Sequence, residues 1–243
     1  MTCPIFMPIM KLDERAPIIL SIGGSLIVPN GGPDTDFLKR LKKLILTGVD
    51  AGHKFVIVSG GGKTARHYID AAVKVRHGIE NDDLDWLGIH ATRLNAHLLR
   101  TIFREVAHPV VVKSPLRLPV RWQGSMLIGS GWKPGRSTDY VACRIATRLG
   151  AKQVINVSNI DYVYEEDPRK NPNAKPLEAL SWPAYRKMVG NKWDPGLSAP
   201  FDPVASRYCH EHKLTVAIVN GLDLKRVSNL LEGKKFKGTI ISA

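Results

Sequence analysis

Cysteine, aromatic residues and acidic residues are all scarce in this chain. Aromatic residues make up 7 % of the 243 residues, and there are three cysteines. Cys3, Cys143 and Cys209 are odd in number, lie far apart and form no Cys-x-x-Cys pair, which argues against a zinc site or a disulfide framework. This usage fits a reducing compartment, and we predict a cytoplasmic protein.

Long apolar runs and charge runs are missing as well. The N-terminal segment MTCPIFMPIM is apolar, but it is too short to span a membrane and lacks the basic lead of a signal peptide. We expect it to form an extra strand or a loose arm, and we expect no membrane partner. No block of five like charges occurs, which argues against a disordered basic tail.

The charge balance favours anionic partners. Lys and Arg number 35 against 22 Asp and Glu, which gives a formal net charge of +13. Nucleotides, nucleic acid and anionic lipid are the classes that such a surface attracts, and a generally basic surface is the plainer interpretation. No known nucleic-acid motif accompanies the charge, so we expect no nucleic-acid partner.

Short apolar segments alternate with helical patterns along the chain, as in an α/β fold with a parallel sheet covered on both faces. A segment rich in Pro, Asn and charge, residues 165–176, predicts a long surface loop. The predicted strands are 18–22, 54–59, 110–112, 126–128, 153–157, 214–219 and 238–241. The predicted helices are 34–51, 64–75, 82–106, 138–149, 182–188, 203–212 and 223–232.

A loop of the phosphate-binding type follows the fourth predicted strand. The sequence GSGWKPGRSTD combines three glycines with Lys133 and Arg136, and it ends at a helix start with the N-cap signature Ser137-Thr138-Asp139. Free backbone N–H groups, a helix N-terminus and two cations in one turn favour an anion, and we predict a phosphate.

Two further glycine loops follow the first two strands. SGGGKTAR, with Lys63 and Arg66, resembles the end of a P-loop, but Ile57 stands where that motif requires glycine. A formal dinucleotide fingerprint also falls here, on the second strand–helix turn rather than the first, and is weak evidence. The earlier loop, SIGGS, contains Gly23 and Gly24, and by itself it is also compatible with a plain tight turn.

Three such loops exceed what one mononucleotide needs, so we predict two phosphorylated substrates that face each other. Two unit negative charges about 4 Å apart repel by roughly 4 kcal/mol at an effective dielectric near 20. Phosphoryl transfer between them must offset several such terms. The candidates are Mg²⁺ and the side chains of Lys63, Arg66, Lys133 and Arg136.

The long predicted helix carries a polar face beside its apolar stripe. Asp85, Gly88, Thr92 and Asn95 recur at spacings of three and four, and Asp85 is placed to accept hydrogen bonds from ribose hydroxyls. Glycine inside a helix costs about 1 kcal/mol relative to alanine, so Gly88 indicates close approach of a ligand or another helix.

The segment after the predicted strand 153–157 contains small polar residues and a tyrosine. Ser158, Asn159 and Tyr164 suit contacts with adenine and ribose. An ordinary loop with an Asp-Pro turn explains the same residues. This segment therefore supports a nucleotide site only in combination with the glycine loops.

Together these segments resemble the amino acid kinase superfamily, and within it the uridylate kinases of archaeal type. The resemblance extends from residue 18 to residue 241 in the family's order. The segments that carry it are IGGSLIVP, SGGGKTARHYI, DWLGIHATRLNA, GWKPGRSTDYVA, NVSNIDYVYEEDPRKNPNAK and PFDPVAS.

This resemblance implies a three-layer αβα sandwich with a mostly parallel central sheet, formed by a single domain over residues 1–243. It implies an acceptor-binding lobe at about 1–150, an ATP-binding lobe at about 151–243, and a homohexamer. It further implies transfer of the ATP γ-phosphate to UMP with Mg²⁺, which gives UDP and ADP in pyrimidine nucleotide biosynthesis. The protein itself is expected to supply no metal-binding cluster.

The resemblance also assigns residues to roles. Those implied for catalysis are Arg66, Asp139 and Asp202, and we add Lys63 as our own hypothesis. Those implied for UMP are Gly61, Arg66, Asp85, Trp132, Lys133, Pro134, Gly135, Arg136, Ser137 and Thr138. Those implied for ATP are Gly23, Gly24, Gly62, Ser158, Asn159, Tyr164 and Asp167.

The chain departs from the family pattern at three places. Bacterial uridylate kinases and acyl-phosphate kinases carry a catalytic lysine where this chain has Ser21, and archaeal-type members also lack it; Lys63 is our candidate for part of that charge. Tyr162 replaces the usual glycine of Asp-Gly-Val-Tyr, which alters the adenine pocket. Residues 193–196 replace a loop of small residues.

Three alternatives stay open. The first is another phosphotransferase of this fold that acts on an acyl group or a small-molecule phosphate; Ser21, in place of the lysine, and Arg66 count against it. Residues 219–243 resemble the end of the molybdenum storage proteins, which bind nucleotide without catalysis. A nucleic-acid-binding module rests on the net charge alone.

Overall fold

The protein is described by a computed structural model over residues 7–190 and 199–243. The first half contains β1 (Ile18–Ile22), α1 (Gly24–Ile27), α2 (Thr35–Asp50), β2 (Phe55–Ser59), α3 (Gly62–Val75), α4 (Asn81–Ile102), β3 (Met126–Gly129) and α5 (Thr138–Arg148). The second half contains β4 (Gln153–Ser158), β5 (Val163–Tyr164), β6 (Pro176–Leu177), β7 (Ala179–Ser181), α6 (Trp182–Val189), α7 (Pro203–Glu211), β8 (Thr215–Asn220), α8 (Leu224–Leu231) and β9 (Gly238–Ser242).

Seven of the described strands form one central sheet in the order β3-β2-β1-β4-β8-β9-β7. The five strands from β3 to β8 are parallel, whereas β9 runs antiparallel to β8 and β7 is parallel to β9. The chain moves outward from β1 to β2 and β3, then crosses to the other side of β1 for β4. This change of direction between β1 and β4 creates a crevice at the carboxyl ends of the strands.

Both faces of the sheet are buried, because alternate residues of each strand point to opposite sides. Leu20 of β1 faces a core that α2, α4 and α8 cover, whereas Ile19 faces a second core that α5, α6 and α7 cover. The helix residues Phe37 and Leu99 fill the first core, and Trp182 fills the second. The structure therefore confirms a three-layer αβα sandwich with a mostly parallel sheet.

The structure corrects the element predictions at two places. Residues 110–112 form no strand; Val112 makes one isolated bridge to Gly129, and Val110 is 65 % exposed. Prolines at 109 and 115 flank this segment, and proline cannot donate to a strand ladder. Helix α4 ends at Ile102 rather than at 106, where the chain turns and Val106 N–H donates to the Phe103 carbonyl oxygen (3.0 Å).

Short elements were not predicted, because α1, β5, β6 and β7 are too short to show a period. The predicted surface loop 165–176 connects β5 to β6, but its last residue, Pro176, belongs to β6. At the N-terminus, residues 7–10 form no strand; Met10 is buried, and the Pro8 carbonyl oxygen accepts from Phe236 N–H (3.2 Å). The rest of that segment, and the unusual residues 193–196, lie outside the described residues. Across the described helices, none combines the length and apolar character needed to cross a membrane.

Candidate active site

A cleft of about 990 Å³ opens at the carboxyl ends of β1, β2, β3 and β4, at the crevice where the strand order reverses. Its volume lies at the upper end of the roughly 300–1,000 Å³ typical of small-molecule sites. Its walls come from residues 23–25, 60–62, 131, 136–139, 158–160 and 162–169, and from α4. All three predicted phosphate loops therefore contribute to one cavity.

The first two glycine loops pack backbone against backbone at the centre of the cleft. A Cβ on Gly24 would lie 2.0 Å from the Gly62 nitrogen, and a Cβ on Gly60 would lie 2.5 Å from the Gly24 nitrogen. Gly62 also has a φ of +65°, a conformation that other residues rarely adopt. These glycines are required for contact between the loops, which in turn brings backbone amides of both loops to one place.

The polar face of α4 holds the glycine loops from one side. The buried Asn95 donates from Nδ2 to the carbonyl oxygens of Gly60 (2.8 Å) and Gly61 (3.2 Å). Thr92 Oγ1 accepts from Gly131 N–H at 2.8 Å. Because backbone groups of two different loops are bonded to one rigid helix, α4 fixes the position of those loops.

Two further residues of this face line the cleft directly. Asp85 Oδ2 accepts from Gly135 N–H at 2.7 Å, so it orients the third loop as well as facing the cavity. A Cβ on Gly88 would find its nearest neighbour, Ile69 Cδ1, at 4.0 Å, so this position faces open space. We call the surface formed by Arg66, Asp85, Gly88, Thr92 and Arg136 the α4 side of the cleft.

A polar cluster lies at the helix starts beside the glycine contact. Asp139, in the first turn of α5, accepts at Oδ1 from Ser21 Oγ (2.7 Å) and Asn156 Nδ2 (2.8 Å). Asp202 caps α7 by accepting from the N–H groups of Val204 (2.8 Å) and Ala205 (3.1 Å).

Ser137 links these two helix starts. Its Oγ donates to Asp202 Oδ2 at 2.5 Å and accepts from Tyr140 N–H at 3.0 Å, as the N-cap of α5. The sequence indicated a cap within residues 137–139, and the structure identifies it as Ser137. The bond from Ser137 to Asp202 was not predicted, because it joins residues far apart in the chain.

Burial changes the ionisation of both carboxyl groups. Desolvation raises the pKa of Asp139 to about 6, the neighbouring Asp202 adds to the rise, and the hydrogen bonds from Ser21 and Asn156 oppose it. Desolvation also raises the pKa of Asp202, against the capping hydrogen bonds and the nearby Arg136. Two adjacent carboxylates in a partly closed site favour a cation beside them.

The predicted cations divide into two groups. Arg66 and Arg136 line the cleft; Arg66 Nη2 donates to Ser25 Oγ at 2.7 Å, and the Arg136 guanidinium lies 5.0 Å from the Tyr140 ring centre. Lys133 instead lies over Trp132, with Nζ 4.6 Å from the ring centre. The structure does not bring the remaining predicted residues of these loops to the cleft wall: Lys63, Trp132, Lys133, Pro134 and Gly135.

The opposite wall, which we call the hairpin side, consists of Ser158, Asn159, Tyr162, Tyr164 and Asp167. It follows β4 and includes one strand of the two-stranded β5–β6 sheet. Arg169 donates to Asp167 Oδ1 and Oδ2 (3.0 and 2.9 Å) at the surface. Tyr162, the unusual residue of this segment, is buried, and its ring centre lies 6.3 Å from that of Tyr164.

Sequence reasoning missed the supporting residues Ser21 and Asn156. Each is a polar residue inside a buried apolar strand, IILSI or QVINVS, and that contrast is the signal that would have found them. It also missed the hydrogen bonds from Asn220 Nδ2 and Arg226 Nη1 to Asp161 Oδ1 (2.7 and 2.5 Å), which hold the start of the hairpin side.

Within residues 7–190 and 199–243, no group of three or more His, Cys, Asp or Glu side chains is arranged to hold a metal ion. Mg²⁺ often binds through one or two carboxylates, with substrate phosphates and water as its other ligands. Asp139 lines the cleft, whereas Asp202 does not form part of the cleft wall and accepts hydrogen bonds from Ser137, Val204 and Ala205. The residues present therefore fit a Mg²⁺ ion that arrives with a nucleotide and lies beside Asp139.

The chain matches known proteins over most of its length. The model of the amino acid kinase family matches residues 16–220. A uridylate kinase of Pyrococcus abyssi is 37 % identical over 230 residues, which cover 92 % of this chain and 98 % of the relative. A uridylate kinase of Thermococcus onnurineus is 36 % identical over 230 residues, which again cover 92 % of this chain and 98 % of the relative.

Solved structures are similar in fold. The UMP kinase from Bacillus anthracis has a TM-score of 0.75 at 19 % identity and covers 93 % of this chain and 96 % of its own. The uridylate kinase from Archaeoglobus fulgidus has a TM-score of 0.72 at 24 % identity and covers 93 % of this chain and all of its own. At these identities the likeness bears on the fold.

Proposed function

The chain belongs to the amino acid kinase family, and we propose that it is a UMP kinase, which transfers the γ-phosphate of ATP to UMP and releases UDP and ADP. UMP occupies the α4 side of the cleft, and ATP occupies the hairpin side. The two lobes of this proposal, residues 1–150 and 151–243, each contribute one of these walls.

One observation carries the proposal: both sides open into the same cleft and meet at the backbone contact between Gly24 and Gly60–Gly62. A kinase that phosphorylates a phosphate needs two anionic groups end to end with amides between them. The packed loops offer those amides, and the first residues of α3 and α5, Gly62 and Thr138, line the same cleft.

Catalysis in this proposal consists of positioning and charge neutralisation, with no covalent enzyme intermediate. Arg66 and Arg136 hold the UMP phosphate against the repulsion of the incoming phosphoryl group. Asp85 accepts from the ribose hydroxyls while it holds the Gly135 amide. These contacts place the acceptor oxygen in line with the bond that breaks.

The acidic cluster serves the donor phosphates. Mg²⁺ bound with ATP would neutralise negative charge on the phosphates; Asp139 is the residue that would hold it, and Asp202 would act through its bond to Ser137 at the start of α5. Ser21 and Asn156 direct Asp139 Oδ1 away from solvent and so orient the carboxylate. A role for Lys63, a homohexamer and a cytoplasmic location stay predictions from the family resemblance.

The test is a coupled assay of ADP release with ATP and a panel of acceptors: UMP, CMP, carbamate, acetylglutamate and isopentenyl phosphate. We expect saturable turnover with UMP and none above the no-acceptor background with the three non-nucleotides. Turnover with a non-nucleotide acceptor and not with UMP would assign a different activity to the same fold.

A further inference from the structure

A pair of buried thiols lies between two helices of the second core. Cys143 Sγ on α5 and Cys209 Sγ on α7 are 3.1 Å apart, and neither residue has accessible surface. A disulfide bond is about 2.05 Å long, so the sulfurs are separated by roughly 1 Å more than a bond. We propose that Cys143 and Cys209 form a disulfide that covalently joins α5 to α7 when the chain folds under oxidising conditions, and that they stay thiols under reducing conditions.

The two helices joined in this way are those that begin at the acidic cluster. Asp139 lies one helical turn before Cys143 on α5, and Asp202 caps the start of α7. Ser137 already bonds the two helix starts to each other at the cleft. A cross-link about one turn deeper on α5 and about two turns deeper on α7 fixes the same pair of helices from inside the core, and so fixes the relative position of the two carboxylates.

The cross-link closes a large loop. Residues 143 and 209 are 66 positions apart, and the chain between them contains β4, the β5–β6 hairpin, β7 and α6. A disulfide stabilises chiefly by restricting the unfolded chain, and the effect grows with the length of the closed loop. Sequence spacing gave no sign of this pair, because it depends on how α5 and α7 pack against each other on one face of the sheet.

The chemistry is thiol–disulfide exchange with a low-molecular-weight disulfide. One cysteine thiolate attacks that disulfide, which forms a mixed disulfide and releases one small thiol. The second cysteine thiolate then attacks the protein sulfur, which forms the Sγ–Sγ bond and releases the second small thiol. The two protein thiols are oxidised, the small disulfide is reduced, and its two thiols take up the two protons.

Burial decides when this exchange occurs. Desolvation raises the pKa of the Cys143 thiol, and the adjacent Cys209 thiol contributes to the rise, so little thiolate exists in the closed core. The exchange therefore takes place while α7 is not yet packed on α5 during folding. The same burial then shields the completed bond from external thiols.

The test uses the full chain, unfolded and then refolded either in a reduced–oxidised glutathione buffer or in dithiothreitol. Free thiols are alkylated with iodoacetamide under denaturing conditions and counted by mass spectrometry, with peptide mapping of cross-links. We expect one alkylated cysteine, Cys3, after oxidative refolding, and all three after reductive refolding. Three alkylated cysteines in both samples, or a cross-link that includes Cys3, would overturn the proposal.

Stability provides the second readout. The oxidised chain should melt about 10 °C higher than the reduced chain, since a loop of this length is constrained. Turnover at a moderate temperature should differ by less than about twofold, because the sulfurs move only slightly and lie outside the cleft.

Two variants serve as controls. Cys3→Ser keeps the pair and should retain the full melting difference with no free thiol after oxidation. The double variant Cys143→Ala/Cys209→Ala should melt at one temperature in both buffers. If the double variant does not fold, Cys3→Ser decides the question alone, and equal melting of its two forms would contradict the cross-link. The thiol count is independent of which acceptor the enzyme uses.

Discussion

The α4 side and the hairpin side of the cleft are built in different ways. On the α4 side, one long helix bonds to backbone groups of two loops through Asp85, Thr92 and Asn95. On the hairpin side, a two-stranded sheet of two residues per strand supports the wall, and Asp167 is paired at the surface with Arg169. The α4 side is therefore fixed by one long helix, whereas the hairpin side depends on a short sheet that hydrogen bonds at Asp161 and Val163 hold in place.

This difference suits the two substrates that we propose. Accurate placement of the acceptor phosphate determines the rate of an in-line transfer, and a misplacement of about 1 Å costs roughly 100-fold. Precision of that kind requires side chains and loops fixed by buried hydrogen bonds. Base recognition on the donor side needs less precision, and a short hairpin is sufficient for it.

The largest effect is expected where the two sides meet. Gly24→Ala places a Cβ 2.0 Å from the Gly62 nitrogen, so the two glycine loops must separate. We expect kcat/KM for UMP to fall by at least roughly 1,000-fold, since both phosphate sites move apart. Steady-state kinetics measure it, with Gly32→Ala as the control, because a Cβ there meets nothing within 4 Å. An active Gly24→Ala enzyme would show that the loop contact is dispensable.

The second largest effect is expected at Asp139, the carboxylate beside the contact between the two glycine loops. Asp139→Asn should reduce kcat by about 100-fold, the order expected when one preorganised electrostatic contact is lost. The same change should stabilise the apoprotein at neutral pH, because it removes a buried carboxylate whose pKa is raised to about 6. A variant that loses activity and gains stability would show that Asp139 contributes to catalysis at a cost in folding stability. A variant that keeps its activity would contradict this role.

The pH dependence of stability has a definite sign. Between about pH 4 and pH 6 the folded state keeps the Asp139 proton that the unfolded chain has lost, so stability decreases as the pH rises through this window. The decrease is on the order of 2–3 kcal/mol. Asp139→Asn should flatten that part of the curve, whereas Asp36→Asn, whose side chain is 81 % exposed, should leave it unchanged. Denaturant unfolding at each pH measures both.

A smaller effect, expected from a substitution at Asn95, distinguishes the α4 side from the hairpin side. Asn95→Ala leaves the carbonyl oxygens of Gly60 and Gly61 without their side-chain donor and should cost about 1–3 kcal/mol of stability. The KM for UMP should rise by about tenfold and that for ATP by no more than about twofold. The matched control is Thr101→Ala, an exposed position on the same helix. An equal rise in the KM for UMP and the KM for ATP would mean that α4 supports the binding of both substrates and not of UMP alone.

The smallest effect is expected on the hairpin side. Asp167→Ala removes the surface pair with Arg169 and a predicted ATP contact. We expect the KM for ATP to rise by about threefold with unchanged KM for UMP. The melting temperature should shift by less than about 1 °C, because exposed ion pairs contribute little. A tenfold or larger effect would show that this wall is as tightly constructed as the other.

The sequence predicted the elements with a clear period and the loops with a clear composition. The glycine loops, the five parallel strands and the polar face of α4 all follow from local patterns. The cluster of Ser21, Asp139 and Asn156 could not be predicted in the same way, because its bonds depend on the order of strands in the sheet. The same limit applies to Cys143 and Cys209.

The most direct test of the account is the binding of each substrate alone to Asp85→Asn, measured by titration calorimetry against the unmodified chain. Asp85 lies on the α4 side and holds the third glycine loop through Gly135. We predict that UMP binds about tenfold or more weakly, the loss of roughly one charge-assisted hydrogen bond, while ATP affinity stays within about twofold. Equal weakening of UMP and ATP, or no weakening of UMP, would contradict the assignment of the α4 side to the acceptor.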